Sequence, residues 1–217
     1  TLLGSVLGVL NGLLIIVVVP VVTFYLLLDW DLMVARIDDL LPREHAPTIR
    51  RLARESDVTL AAFIRGQALV CLILGTYYAV ALAAVGLGFG LVVGAIAGVL
   101  TFIPYVGALV GGLLAIGLAL YQFWGEQWVW ILVVWAIFQS GQFVEGNFLT
   151  PKLVGERVGV HPVWLLFALA AFGSLFGFLG LLVAVPVAAV IGVLVRFALG
   201  KYKESRLYRG GPGAPLP

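Results

Sequence analysis

Three polar side chains recur at intervals of three residues in an otherwise apolar stretch, namely Gln139, Gln142 and Glu145. Residues three apart lie on neighbouring turns of a helix, so this spacing predicts a polar stripe. Polar groups that face lipid are costly, and we expect the stripe to face protein or a water-filled cavity. A carboxyl group in such a place can exchange protons during transport. The alternative is that Glu145 lies at a helix end and is hydrated at the membrane surface.

The residues that follow supply further polar groups around a predicted break in the helix. Asn147, Thr150 and Lys152 come next, and the proline between the last two cannot continue a helical hydrogen-bond ladder. Exposed carbonyls, together with amide and hydroxyl side chains, could coordinate a cation or a hydroxylated solute. Lys152 could instead form an ion pair with Glu145 or Glu156 and neutralise it.

Other kinds of chemistry have little support in the sequence. His161 precedes Pro162 and could titrate, although a capping or turn role is the alternative. The sequence contains no HExxH, no GxSxG and no Walker-type glycine–lysine motif. Cys71 is the one cysteine, so this chain offers neither an intrachain disulfide nor a cysteine metal cage. We therefore expect no enzymatic activity, no metal site and no cofactor.

The composition is that of a protein that crosses a membrane several times. Hydrophobic residues make up 62% of the chain and charged residues 11%, whereas soluble domains are close to half apolar and a quarter charged. Residues 66–125 and 158–195 contain no Asp, Glu, Lys or Arg. The formal net charge of +2 gives no reason to expect nucleic-acid binding. We predict an all-α, polytopic transmembrane protein that has the lipid bilayer as a partner.

The charge pattern divides the chain into four parts. Residues 1–28 carry no charge and predict a transmembrane helix. Residues 29–65 combine helical apolar spacing with six arginines, which predicts an amphipathic helix on the cytoplasmic side of the membrane. Residues 66–200 form the predicted transmembrane transport core. Residues 201–217 form a basic, largely disordered tail, which we also expect in the cytoplasm.

Two apolar segments of the core are interrupted, residues 86–123 by a proline and residues 163–195 by Gly173, Gly177 and Gly180. Such interrupted pairs are typical of alternating-access transporters. The first segment predicts either a re-entrant hairpin or two short spans. The tip of this hairpin, which would act as a gate, contains Ile103, Pro104, Tyr105 and Gly107.

Four glycines recur every four residues where this first segment begins. A helix face without side chains lets another backbone approach closely. The face could serve for static packing or as a surface along which the hairpin slides, and the two roles are compatible. These glycines are Gly86, Gly90, Gly94 and Gly98.

Three short motifs occur in order along the chain. They are FIPYVG at 102–107 with Gly111, EGNFLTPK at 145–152, and VGVHP at 158–162 followed by LFGFLG at 175–180 and AVP at 184–186. With these motifs the chain resembles the autoinducer-2 exporter family of prokaryotic membrane proteins over nearly its whole length. Gly146 departs from the family pattern, which has Asn there. That difference would alter selectivity if the position contacts substrate.

The resemblance implies an all-helical secondary exporter of a small polar solute or signalling molecule, in the plasma membrane of a prokaryote. It implies coupling to H⁺ or Na⁺ or to the solute's own gradient, a homo-oligomer, and further membrane helices before this stretch. The alternatives are a sodium/proton-type cation antiporter and, from another class, a non-transporting membrane scaffold. We expect the transport path and coupling site to contain Gln139, Gln142, Glu145, Asn147, Thr150, Lys152 and His161.

Overall fold

A computed structural model describes residues 17–125, 127–154 and 162–209, and the regular structure in this part of the chain is entirely helical. This confirms the predicted all-α class. In chain order the elements are α1 Val17–Leu28, α2 Trp30–Asp39, α3 Ala46–Ala84, α4 Gly90–Leu100, α5 Val106–Phe123, α6 Val129–Val144, a π-helix Glu145–Val154, α7 Pro162–Glu204 and α8 Arg206–Arg209.

Four helical segments in the described ranges are long and apolar enough to cross a membrane. A fifth is possible if α1 and α2, which meet at a bend of 62°, form one broken span. The four segments are Ala46–Ala84, Val106–Phe123, Val129–Leu153 and Val163–Glu204. The chain is therefore a multi-pass membrane protein, as the composition predicts.

In the described part of the chain, residues 17–51 form one compact unit, and the described residues from 52 to 209 form a second. Within the first unit, the guanidinium of Arg50 donates two hydrogen bonds of 2.7 Å to the carboxylate of Asp38. Both side chains are exposed. The hydrogen bond from Arg50 lowers the pKa of Asp38, which lies outside the apolar part of the spans.

The α3 helix is longer than the sequence pattern suggests. The amphipathic stretch and the first span of the core are one helix of 39 residues, about 58 Å long. No proline follows Pro47 before the helix ends, and Gly66 and Gly75 weaken a helix without breaking it. The boundary that the charge pattern suggests after residue 65 is therefore not a helix end.

The α4 and α5 helices form an antiparallel hairpin against α3. At its base, the side chain of Gln122 accepts a hydrogen bond from the amide of Gly88 (2.6 Å) and donates one to the carbonyl of Gly86 (2.8 Å). The start of α4 and the end of α5 are thereby held together. With 11 residues, α4 is about 16 Å long and too short to cross the hydrocarbon alone, which favours the re-entrant alternative.

The α7 segment contains the second interruption. Gly177 has φ 60° and ψ −138°, a combination that favours glycine. The chain folds back at this point, because Gly180 lies against the carbonyl of Phe172 and Gly173 lies against the side chain of Leu181. The sequence predicts an interruption by three glycines, and the structure places the bend itself at the middle one.

Candidate functional site

The site is built where α3 contacts α6. The ring of Tyr78, on α3, is 1% exposed and stacks on Phe138 of α6 with 4.5 Å between ring centroids and 9° between planes. On the next turn of α6, Gly141 faces the same tyrosine, and a Cβ at that position would collide with the ring and its hydroxyl. Glycine is therefore required for the two helices to meet this closely with a tyrosine between them.

A chain of hydrogen bonds extends from this contact to Glu145. The Nε2 atom of Gln142 donates to Glu145 Oε2 at 2.9 Å and to the hydroxyl oxygen of Tyr78 at 3.4 Å. Gln142 and Glu145 are both partly buried. One amide thus links a carboxylate on the π-helix to a hydroxyl on α3, within two apolar spans. An ionisable side chain within a membrane span usually marks a functional site.

Gln139 takes no part in this series of hydrogen bonds. Its side chain is exposed, and none of the hydrogen bonds in the described residues involves it. Three residues advance about 300° around an α-helix, which is about 60° less than a full turn. Over the six residues from Gln139 to Glu145, the two side chains therefore point in directions about 120° apart around the helix axis. The spacing of three therefore brings together Gln142 and Glu145 and leaves the first residue of the stripe on another face.

Where the sequence predicts a helix break, at Pro151, the structure has a widened helix. Residues Glu145–Val154 form a π-helix that continues α6 and contains Pro151. A π-helix closes its hydrogen bonds between residues five apart, which puts Thr150 one turn beyond Glu145. Pro151 has no N–H to donate, so one carbonyl of the preceding turn lacks its helical partner. Short π-helical stretches are frequent at functional sites.

The other predicted path residues lie around this widened turn. Asn147 donates from Nδ2 to the carbonyl of Phe143 at 2.9 Å, which leaves its Oδ1 available as an acceptor. Thr150 and Lys152 are exposed. Lys152 forms no ion pair with Glu145, and its Nζ lies 6.0 Å from the ring centroid of Phe148.

Two sequence hypotheses fall on residues that the structure does not describe. His161 lies outside the described ranges, and so does Glu156, the other proposed partner of Lys152. Where residues are described, no group of three or more His, Cys, Asp or Glu side chains could hold a metal ion.

The predicted gate is a tight turn held against α3. Ile103 is 1% exposed, and Tyr105 has a left-handed φ of 68°. The buried side chain of Gln67, on α3, donates to the carbonyl of Thr101 at 2.7 Å, and Gly107 packs against the same threonine. In the described part of the chain, no hydrogen bond joins this tip to Glu145.

Three of the four predicted glycines form a contact with α3. Gly90 lies against Leu82, Gly94 against Ala79 and Gly98 against Gly75, in each case with backbone atoms nearest. The structure differs at the first position. Gly86 lies in the turn between α3 and α4, with φ 76°, and no atom lies within 4 Å of the place that a Cβ would occupy there. The chain has already left the helix there, so the regular spacing does not place Gly86 on the shared face.

Sequence reasoning missed Tyr78, Gln67 and Gln122. Each is a polar side chain within the charge-free stretch, and Gln67 and Gln122 are its two glutamines. Polar residues in membrane spans usually find a partner in the protein, and this was the available signal. The partners themselves could not be read from the sequence, because they lie 34 or more residues away.

Comparison with known proteins finds similarity to membrane transport proteins. The sequence pattern of the AI-2E family transporters matches residues 1–200. YrrI of Bacillus subtilis, provisionally named a transport protein, is 35% identical over 90% of this chain and 55% of its own length. PerM of Escherichia coli K12, provisionally named a permease, is 30% identical over 89% of this chain and 54% of its own length.

A further relative has the same relation to the chain. YueF of Bacillus subtilis, also provisionally named a transport protein, is 32% identical over 87% of this chain and 50% of its own length. The chain thus spans about half the length of these curated relatives. The match with the family pattern covers all four helices that are long enough to cross a membrane, apart from the last residues of α7. The chain belongs to the AI-2E transporter family.

Proposed function

We propose that this protein exports a small polar solute, such as a signalling molecule of the autoinducer-2 type, and that Glu145 couples export to an ion gradient. The observation that carries this proposal is the hydrogen-bonded chain from Glu145 through Gln142 to Tyr78, which lies within two apolar spans. A carboxyl group is costly within a membrane span, and those that occur there usually mark functional sites.

The π-helix supplies the rest of the proposed path. The carbonyl freed by Pro151, the Oδ1 of Asn147 and the hydroxyl of Thr150 are oxygen ligands close to the Glu145 carboxylate along the chain. Groups of this kind suit a hydroxylated solute or a weakly held cation. In this proposal the exposed Lys152 helps to attract an anionic or polar solute to the entrance, and the tip from Ile103 to Gly107 is the gate.

The topology of the proposal follows the basic residues. The arginines of residues 29–65 and the basic residues that end α7 and follow it would lie in the cytoplasm, by the positive-inside rule. The α7 helix has Lys201 and Lys203 in its last turn. Export would then carry the solute away from this face of the membrane.

The glycine face argues against the scaffold alternative. A scaffold would offer Gly90, Gly94 and Gly98 to another protein, whereas these residues are already covered by α3 of the same chain. The cation/proton antiporter remains a second candidate, since the Glu145 carboxylate is the kind of group that binds a proton or Na⁺ alternately. It differs from the exporter in having no need of an organic solute.

The test is flux across proteoliposomes that contain the purified protein, with wild type compared with Glu145→Gln. Internal pH and uptake of labelled autoinducer-2 would be recorded under imposed proton and sodium gradients. We expect gradient-dependent solute flux in the wild type and its loss in the variant. The substitution keeps the shape of the side chain and removes only its charge and its proton exchange.

Other outcomes separate the alternatives. Proton–sodium exchange without solute flux would identify the antiporter. Solute flux that neither gradient affects would identify a facilitator and remove Glu145 from the coupling step. Absence of any flux from protein that elutes as a single species and is correctly inserted would favour the scaffold.

A further inference from the structure

The hydroxyl of Tyr78 has a fixed position at one end of the chain that begins at Glu145. The ring is buried, stacked on Phe138, and seated against Gly141, where no side chain separates it from the helix. A buried ring that is packed this closely cannot easily change rotamer. The adjacent Tyr77 differs, because it is exposed and its hydroxyl contacts Ser140 Oγ at 2.6 Å.

The amide of Gln142 lies between two groups with different hydrogen-bonding capacity. Its Nε2 has two hydrogens, and the two contacts to Glu145 and Tyr78 use both of them. This orientation suits an ionised carboxylate, which can only accept. A protonated carboxyl group can donate, and the amide would then present its oxygen to it. The Tyr78 hydroxyl suits both orientations, because it can either accept or donate.

We propose that Tyr78 and Gln142 are positioning residues that set the pH at which Glu145 takes up a proton and transmit that change to α3. These two residues would connect proton uptake at Glu145 to a movement of α3. Their role in transport rests on the proposed function. The titratable groups of α3 that Glu145 influences in the described residues are Cys71 and Tyr78. Neither carries a positive charge, and Lys152 of the π-helix forms no ion pair with Glu145, so among the described residues the Gln142 amide is the hydrogen-bond donor that stabilises the carboxylate.

Labelling with dicyclohexylcarbodiimide measures the protonation of Glu145 without any transport. This reagent adds to protonated carboxyl groups in apolar surroundings, and mass spectrometry can quantify the adduct at residue 145 as a function of pH. Glu145→Gln supplies the background. The variants are Gln142→Leu, which removes the donor, and Tyr78→Phe, which keeps the buried ring and removes only the hydroxyl. Tyr77→Phe is the matched control, since the same atom is lost one residue away.

We expect Gln142→Leu to move the labelling midpoint to higher pH by about one unit, because the carboxylate loses a charge-assisted donor. Tyr78→Phe should move it in the same direction by about half a unit, since the amide is less well held. Tyr77→Phe should leave the midpoint unchanged. A purely structural role of Tyr78 would lower the melting temperature and leave the labelling midpoint where it is in the wild type.

The proposal is wrong if both variants keep the wild-type midpoint, if Tyr77→Phe shifts it as much as Tyr78→Phe, or if Glu145 is not labelled at any pH. If Gln142→Leu fails to fold, the labelling midpoint of Tyr78→Phe alone decides whether the proposal holds. Shifted midpoints in a protein without flux would support the positioning roles and reject the transport function. Gradient-coupled flux with unshifted labelling midpoints would support the transport function and reject the positioning roles.

Discussion

The α3 helix has two very different partners. It meets α4 through backbone atoms, because glycines on α4 bring the main chains into contact. It meets α6 through side chains, with a stacked aromatic pair and an amide that reaches a carboxylate. In the described residues, the first contact is made by main-chain atoms. The second is connected through Gln142 to the carboxyl group of Glu145.

The glutamines of the molecule show what this difference means. Gln67 and Gln122 bond to backbone atoms of the α4–α5 hairpin, at its tip and at its base. Gln142 bonds to two side chains, one of them ionisable. The same side chain thus satisfies the main chain in one interface and holds a chemical group in the other. We infer that the partner of a membrane glutamine, more than its presence, indicates its role.

The largest expected effect comes from filling the backbone contact of α4. Gly98→Ala would push a methyl group into the backbone at Gly75, and we expect a loss of about 3 kcal/mol in unfolding free energy. Gly117→Ala on α5 is the matched control, because nothing lies within 4 Å of a Cβ there. It should be neutral or slightly stabilising. Chemical unfolding in detergent measures both, and equal effects would show that α4 does not need the close approach.

A smaller effect should follow from removing the amide at the hairpin tip. Gln67→Leu leaves the buried carbonyl of Thr101 without its side-chain partner, which should cost about 1 kcal/mol. Gln122→Leu removes exposed contacts at the base and should change stability by less than about 0.5 kcal/mol. Melting curves of the two variants test the order. A larger loss for Gln122→Leu would place the main attachment of the hairpin at its base.

The smallest effect should come from the exposed ion pair in the first unit. Asp38 has a pKa below its usual value because Arg50 bonds to its carboxylate, so the pair stabilises the fold above the unfolded-state pKa. That contribution is lost as the pH falls through the lowered pKa. Because both groups are in water, Asp38→Asn should give a shift in melting temperature smaller than that of Gln67→Leu at pH 7. At a pH below this lowered pKa the variant and wild type should agree, and a persistent difference would mean that Asp38 acts other than by its charge.

Much of the fold could be predicted because membrane segments leave a strong signal. Charge-free stretches identify the spans, and the interruptions near Pro104 and Gly177 are predicted by a proline that breaks the helical hydrogen-bond ladder and by a group of three glycines that weaken it. The continuity of α3 could not be predicted from the charge pattern. Charged residues stop abruptly after Arg65, but the residues on both sides of this point favour a helix. Hydropathy reports the environment of a segment, and the backbone depends on local conformational preference.

In the candidate site, the sequence predicts contacts between residues that are close along the chain but not contacts between different helices. The spacing of Gln142 and Glu145 predicts their contact, because neighbouring turns of one helix fix it. The partnership with Tyr78 depends on how two helices cross, which one sequence does not reveal. The π-helix was also beyond prediction, since proline predicts a break and the chain instead widens. The homo-oligomer that the family resemblance implies stays a prediction.

The bend at Gly177 has a consequence for how the sequence can change. The turn uses a single residue, and Gly180 already touches the carbonyl of Phe172 across it. No spare loop length exists in which an inserted or deleted residue could be absorbed. Such a change would rotate one arm by about 100° relative to the other and turn its packed side chains toward lipid. The number of residues at this bend is therefore as constrained as the identity of the glycines that form it.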